Sequence, residues 1–169
     1  MTTSKPSVTV LILAGIVALL AAGCQMGPGK AGDRLVGAWR GKVQFKTGPF
    51  AATKDLEFMY VFNLGGTMTE SSNYDASPPV PPAYGSWKNI GPQQYEATYA
   101  FYWNKPPTSF DELAKGGGWA PGGYGRLIQK ITLSEDGDSF ESTIKLEMFD
   151  ASGHSAEGSG EATGGGRRI

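Results

Sequence analysis

Only one cysteine, Cys24, and one histidine, His154, occur among the 169 residues. A lone thiol forms no internal disulfide, and a lone imidazole excludes zinc sites built from several histidines and leaves a serine triad at most one candidate base. His154 follows a turn at 150–153 with no nucleophile or ligand spacing near it, so it reads as an exposed turn residue. Neither charge sign prevails, with 15 Lys plus Arg against 16 Asp plus Glu. No field of one sign is available to gather a polyanion, and nucleic acid is not an expected partner. Glu135, Asp136 and Asp138 are too few for a calcium loop, which needs six or more oxygens, and they sit where a hairpin turn is expected. No catalytic residue, metal site or cofactor is assigned from the sequence.

The longest apolar run, residues 8–22, is shorter than the roughly 20 residues that a membrane-spanning helix requires. Lys5 lies ahead of it and small residues follow it up to Cys24, which is the layout of a signal peptide. Leu20-Ala21-Ala22-Gly23-Cys24 resembles the lipobox of bacterial lipoproteins, in which small side chains fit the processing peptidase and the thiol accepts a diacylglyceryl group. That resemblance implies a lipoprotein signal peptide over 1–23, lipid attachment at Cys24, and a membrane as the first partner of the chain. Residues 24–34 are then the lipidated cysteine and a Gly-rich flexible tether. Gln25, in place of Asp after the cysteine, implies the outer membrane in a diderm host.

What the chain has in abundance is turn chemistry, with 25 Gly and 11 Pro. Residues 35–169 suit one domain with one core, and their segments of period two, divided by Gly, Pro and Asn, predict an all-β fold. About eight segments are counted, at 36–47, 56–63, 67–73, 84–90, 94–103, 126–134, 140–149 and 154–162. Eight is the number that closes a small antiparallel up-and-down barrel and removes exposed edges. Residues 77–82 are a proline run that cannot lie within a sheet. Residues 104–125 form the longest irregular stretch, a binding loop or an insertion without consequence, with Ser109-x-x-Glu112 as a capping box and Gly116 as a stop for a short helix.

Gly37-x-Trp39 at the start of the first strand resembles the opening motif of lipocalins and their calycin relatives, where the Trp plugs the closed end of the barrel. The resemblance implies that Arg167 or Arg168 packs across that ring. A wider resemblance covers 35–169 and is to exported bacterial lipoproteins with a lipocalin-like barrel. It rests on Phe62-Asn63-x-Gly65-Gly66-Thr67, on Tyr84-Gly85-x-Trp87 with Gly91-Pro92-x-x-Tyr95, on Gly137-Asp138-x-Phe140, and on Arg168-Ile169. It implies a fold and carries no activity.

The alternation itself aims large side chains at one another. Trp39, Val43, Phe58, Tyr60, Phe62, Tyr99, Phe101, Trp103, Ile131, Ile144 and Leu146 are the candidate lining of a barrel cavity. Thr67, Thr69, Gly85 and Ala156 are expected inward opposite them. Two readings stay open: the rings fill the space across from small residues, or they make the aromatic wall of a pocket. The leading expectation is a lipid-anchored envelope protein that binds a small hydrophobic or aromatic ligand, oriented by Tyr60 and Tyr99. The alternative is a structural or inhibitory module with a filled core and an envelope protein as its partner. A barrel enzyme of the cyclase or isomerase kind ranks third, because no inward Asp or Glu is expected on the strands.

Overall fold

The computed structural model describes residues 33–74, 81–115 and 118–169. The expected signal peptide, Cys24 and most of the expected tether, together with most of the proline run and Gly116, lie outside the described residues. Asp33–Ile169 forms one compact unit. Its strands are β1 (Gly37–Phe45), β2 (Glu57–Phe62), β3 (Thr67–Ser72), β4 (Ala83–Gly91), β5 (Gln94–Lys105), β6 (Ala120–Leu133), β7 (Ser139–Asp150) and β8 (Ser155–Arg168), with one short helix, α1 (Phe110–Ala114), between β5 and β6. Each strand pairs antiparallel with the next, and β8 returns to pair with β1, so the sheet closes into an eight-stranded barrel. Closure satisfies the backbone edges that an open sheet of this length would leave bare.

Period-two patterning sets which side chains enter. In β1, Trp39, Val43 and Phe45 are buried while Arg40, Lys42 and Gln44 are exposed. In β5, Tyr95, Ala97, Tyr99 and Phe101 are buried, and in β7 Phe140, Ile144 and Leu146. The third strand departs from expectation. Met68 and Glu70 point inward, while Thr67 is exposed and Thr69 half-buried. The cause is the hairpin before it. Asn63 donates its N–H to the Thr67 carbonyl at 2.9 Å, which places Met68 across from Phe62 and Glu70 across from Tyr60. Residues directly opposite on antiparallel strands share a face, so the inward parity of β2 dictates that of β3.

Two strands are longer than the sequence suggests. Residues 120–125 continue β6 instead of belonging to the irregular connection, and β8 runs through the Gly-rich stretch to Arg168. The glycines there make room for rings. A Cβ on Gly122 would lie 2.3 Å from the Trp103 ring, one on Gly125 2.6 Å from Phe101, and one on Gly166 2.5 Å from Phe140. Large side chains therefore sit across from absent ones, the pairing that fills a small barrel. Gly123 is a further case, with φ +143 and an imagined Cβ 2.0 Å from the Phe149 carbonyl oxygen. Gly123→Ala is expected to cost about 2–3 kcal/mol, since neither the left-handed backbone nor the facing strand can yield. Chemical denaturation would read it, and a change under 0.5 kcal/mol, roughly the range of a neutral surface substitution, would show that the β6–β7 ribbon adjusts.

Helix α1 begins as its sequence dictates. Ser109 caps it by accepting the Glu112 N–H at 3.1 Å, while the Glu112 carboxylate reaches back to the Thr108 N–H at 2.8 Å. These bonds to Thr108 hold the Glu112 carboxyl below its usual range.

One end of the barrel is plugged. The Trp39 ring is fully buried there, its indole N–H donating to the Leu35 carbonyl at 2.9 Å and its edge meeting Phe140 at 5.3 Å. The Arg168 guanidinium lies 4.3 Å from the centre of the Trp39 ring and donates to the carbonyls of Val36, Arg34 and Gly137 at 2.8, 2.6 and 3.0 Å. It is Arg168, not Arg167, that makes the expected contact between cation and ring.

Candidate functional site

Above the plug the barrel carries a polar layer. Tyr99 Oη donates to Gln129 Oε1 at 3.0 Å, Gln129 Nε2 donates to Ser142 Oγ at 3.0 Å, and Ser142 Oγ donates to the Gly164 carbonyl at 3.4 Å. The chain of bonds crosses from β5 through β6 and β7 to β8, and each buried polar group in it is answered by the next. The Tyr60 hydroxyl lies against Gln129 and Tyr99. Burial drives the Tyr60 phenol far above its ordinary range and the Glu70 charge adds to this. Burial likewise raises Tyr99, with Tyr60 and Glu70 contributing. Both phenols therefore stay neutral.

Glu70 stands apart from that layer. The residue is 6% exposed, and its Oε1 has no hydrogen-bond partner among the described residues. It reaches into a small cavity of about 30 Å³ whose wall includes Phe45 of β1, Phe58 of β2, Ser72 of β3, Phe101 of β5, Leu127 of β6 and Leu146 of β7. Two rings from connections complete it: Phe50, after β1, packs on Phe45 at 5.3 Å, and Tyr74, after β3, meets Phe50 edge-on at 5.1 Å. Phe50 and Tyr74 are half-buried, so they shield the cavity from the unplugged end without sealing it. Burial pushes the Glu70 carboxyl up to about 8. It is mostly protonated at neutral pH, a state that low polarity favours over the anion. Every described lysine is exposed, and the described arginines and His154 are likewise on the outside or its rim, so among the described residues no cation faces this acid.

The residues singled out from sequence separate into three groups. Phe58, Phe101 and Leu146 line the cavity. Trp39, Val43, Tyr60, Phe62, Tyr99, Ile131 and Ile144 are buried in the barrel core and do not border it. Trp103 is only half-buried, its ring against Gly122 and its indole N–H donating to the Phe149 carbonyl at 3.1 Å. Glu70, Phe50, Tyr74, Gln129 and Ser142 were not singled out. The expectation that no strand turns an acid inward is corrected by Glu70, for the hairpin reason given above. Tyr60 and Tyr99 are engaged with the polar layer; the described residues leave two buried oxygens unpartnered, Asp33 Oδ1 and Glu70 Oε1, of which only Glu70 borders the cavity.

Among the described residues no three His, Cys, Asp or Glu side chains stand together to hold a metal ion. Comparison with protein families, with curated proteins and with solved structures finds no match to this chain.

Proposed function

We propose that the chain is an envelope protein, held to a membrane by lipid on Cys24, whose barrel binds a small, largely apolar molecule at its unplugged end. The observation that carries this reading is the Glu70 carboxyl, buried with its Oε1 unpartnered among the described residues, at the wall of a cavity ringed by aromatic side chains. A polar group left unsatisfied in an interior costs stability, and it persists where something else makes use of it. A cavity of about 30 Å³ holds one or two water-sized groups, far below the roughly 300–1,000 Å³ of sites that enclose a whole drug-sized ligand. The ligand accordingly places one end beside Glu70 and the rest between Phe50 and Tyr74. The protein isolated from its host, extracted with organic solvent and analysed by mass spectrometry, is expected to release a small molecule in stoichiometric amount. An empty protein whose Tyr74 and Phe50 resonances respond to no small aromatic or aliphatic probe would overturn the reading. The anchor has its own test: labelled fatty acid is expected in the protein and lost in Cys24→Ala.

A second reading, an interaction module for another envelope protein, draws on the outer surface. Tyr102, Phe110 and Leu113 are exposed around the β5–β6 connection, with Phe110 80% accessible. Crosslinking in cells from position 102 would favour it by capturing one partner reproducibly.

A further inference from the structure

We infer that the group received beside Glu70 is a cationic ammonium, so that the ligand is a small amine with an apolar tail; this rests on the binding reading above. The first ground is the carboxyl group itself. Empty, the carboxyl escapes the penalty of a buried anion by keeping its proton; only a counter-charge lets it ionise in place, a capacity that an amide, sufficient for a neutral ligand, does not have. The described residues supply no counter-charge, since no Lys, Arg or His among them lines the cavity. The titratable groups that do face Glu70 are Tyr60 and Tyr99, both held neutral, and Tyr74 at the rim.

The second ground is the wall. Phe45, Phe50, Phe58, Tyr74 and Phe101 surround the space, and the faces of aromatic rings carry negative potential that attracts cations and disfavours anions. The third is size and donor count. An ammonium is close to water in bulk, fits about 30 Å³, and offers three donors, of which Glu70 takes one or two. The hydrocarbon tail leaves past Phe50 and Tyr74. The proton balance is simple. The amine enters charged, the Glu70 carboxyl gives its proton to the solvent, and the carboxylate remains paired with the ammonium.

The probes are n-butylammonium, 1-butanol and butyrate, which share a tail and differ in the charge of the head, titrated into the full chain by calorimetry and NMR. Butylammonium is expected to bind at least tenfold tighter than butanol, and butyrate not at all. Close to one proton should be released per amine at pH 7, read from buffers of different ionisation heat. Amine affinity should rise about tenfold for each step of one in pH from 6 to about 8 and then level off, an aliphatic amine staying charged to about pH 10. Glu70→Gln should remove the preference for the amine, and Phe58→Leu, which leaves the acid in place, should weaken the amine more than the alcohol. If butanol matches butylammonium, or affinity falls as pH rises, the ammonium assignment is overturned while the pocket stands. If none of the three binds, the pocket falls with it.

Discussion

Glu70→Gln is expected to stabilise the protein at pH 8, by up to roughly 4–5 kcal/mol given that each tenfold weakening of the acid is worth about 1.4 kcal/mol, and to change little at pH 4. The sign follows from which state holds the proton. Below the ordinary carboxylate value of 4.5 the side chain is neutral in both the folded and the unfolded chain, so burial carries no charge penalty. Between 4.5 and about 8 the unfolded chain gives up the proton while the folded chain keeps it, and stability falls steadily with rising pH. Above about 8 both states are ionised and the loss is complete. The amide keeps the shape and never ionises, so the variant should show no such slope.

Other acids do not mimic this window. Glu147, hydrogen-bonded to Lys145 and Arg126, and Asp150, hydrogen-bonded by the His154 and Ser152 N–H groups, are held below their usual range. Whatever stability they add is present above their ordinary values and lost only in more acidic solution, on the other side of the Glu70 window. Urea unfolding of the wild type and Glu70→Gln at pH 4, 6 and 8 would measure the difference. Parallel stability curves for the two proteins would show that Glu70 is solvated after all and that the pocket holds no buried acid.

The second large effect is expected at the plug. Trp39→Ala should cost about 3–5 kcal/mol, since it empties a fully buried site, strips Phe140 of its edge contact and leaves the Leu35 carbonyl without its donor. Arg168→Ala should cost less, about 2–3 kcal/mol, from the contact with the ring and from three carbonyls that lose a charged donor. Arg168→Lys should recover only a minor part of that. A lysine carries the charge to the ring but has no planar fork to reach Val36, Arg34 and Gly137 together. Denaturant midpoints at constant slope would order the three variants. A Trp39→Ala protein within about 1 kcal/mol of the wild type, the cost of an ordinary substitution, would mean that the plug is not a structural element.

The barrel was legible where bulky apolar residues alternate with charged ones. In β1, β5 and β7 one face admits only one interpretation, and the observed burial follows it. In β3, Thr-Met-Thr-Glu-Ser-Ser, one face offers a single apolar residue, Met68, beside Glu70 and the other offers two threonines and a serine, so hydrophobicity chooses only weakly between them. What chooses is the link from Asn63 to Thr67, a matter of hairpin geometry. Counting pairs outward from that turn, with Phe62 fixed inside, would have found Glu70. Gln129 is a different case: its parity with Leu127 and Ile131 was readable, and a single polar side chain among apolar ones hid its place in the Tyr99–Ser142 relay. Phe50 and Tyr74 lie in connections without periodicity, so no pattern could aim them at the cavity. Glycines mislead in the opposite direction. Those of 122–125 and 164–166 look like loop, yet they lie inside strands, several of them because a ring from the neighbouring strand occupies the space of a side chain.

The seam between β1 and β8 joins the earliest strand to the latest, bringing Trp39 beside Arg168 and Phe45 beside Ala162. A chain made from its amino end exposes the flank of β1, with Trp39, Val43 and Phe45 on it, throughout the time that more than a hundred further residues are being added. Its mate is a ribbon of small side chains, which has little apolar surface to nucleate upon and gains its hold only when β7 is already in place to receive its other side. Ring closure thus waits on the last strand. Nascent or truncated molecules lacking residues 155–168 would present two naked flanks at once, and those are the forms a cell has most reason to shield or destroy.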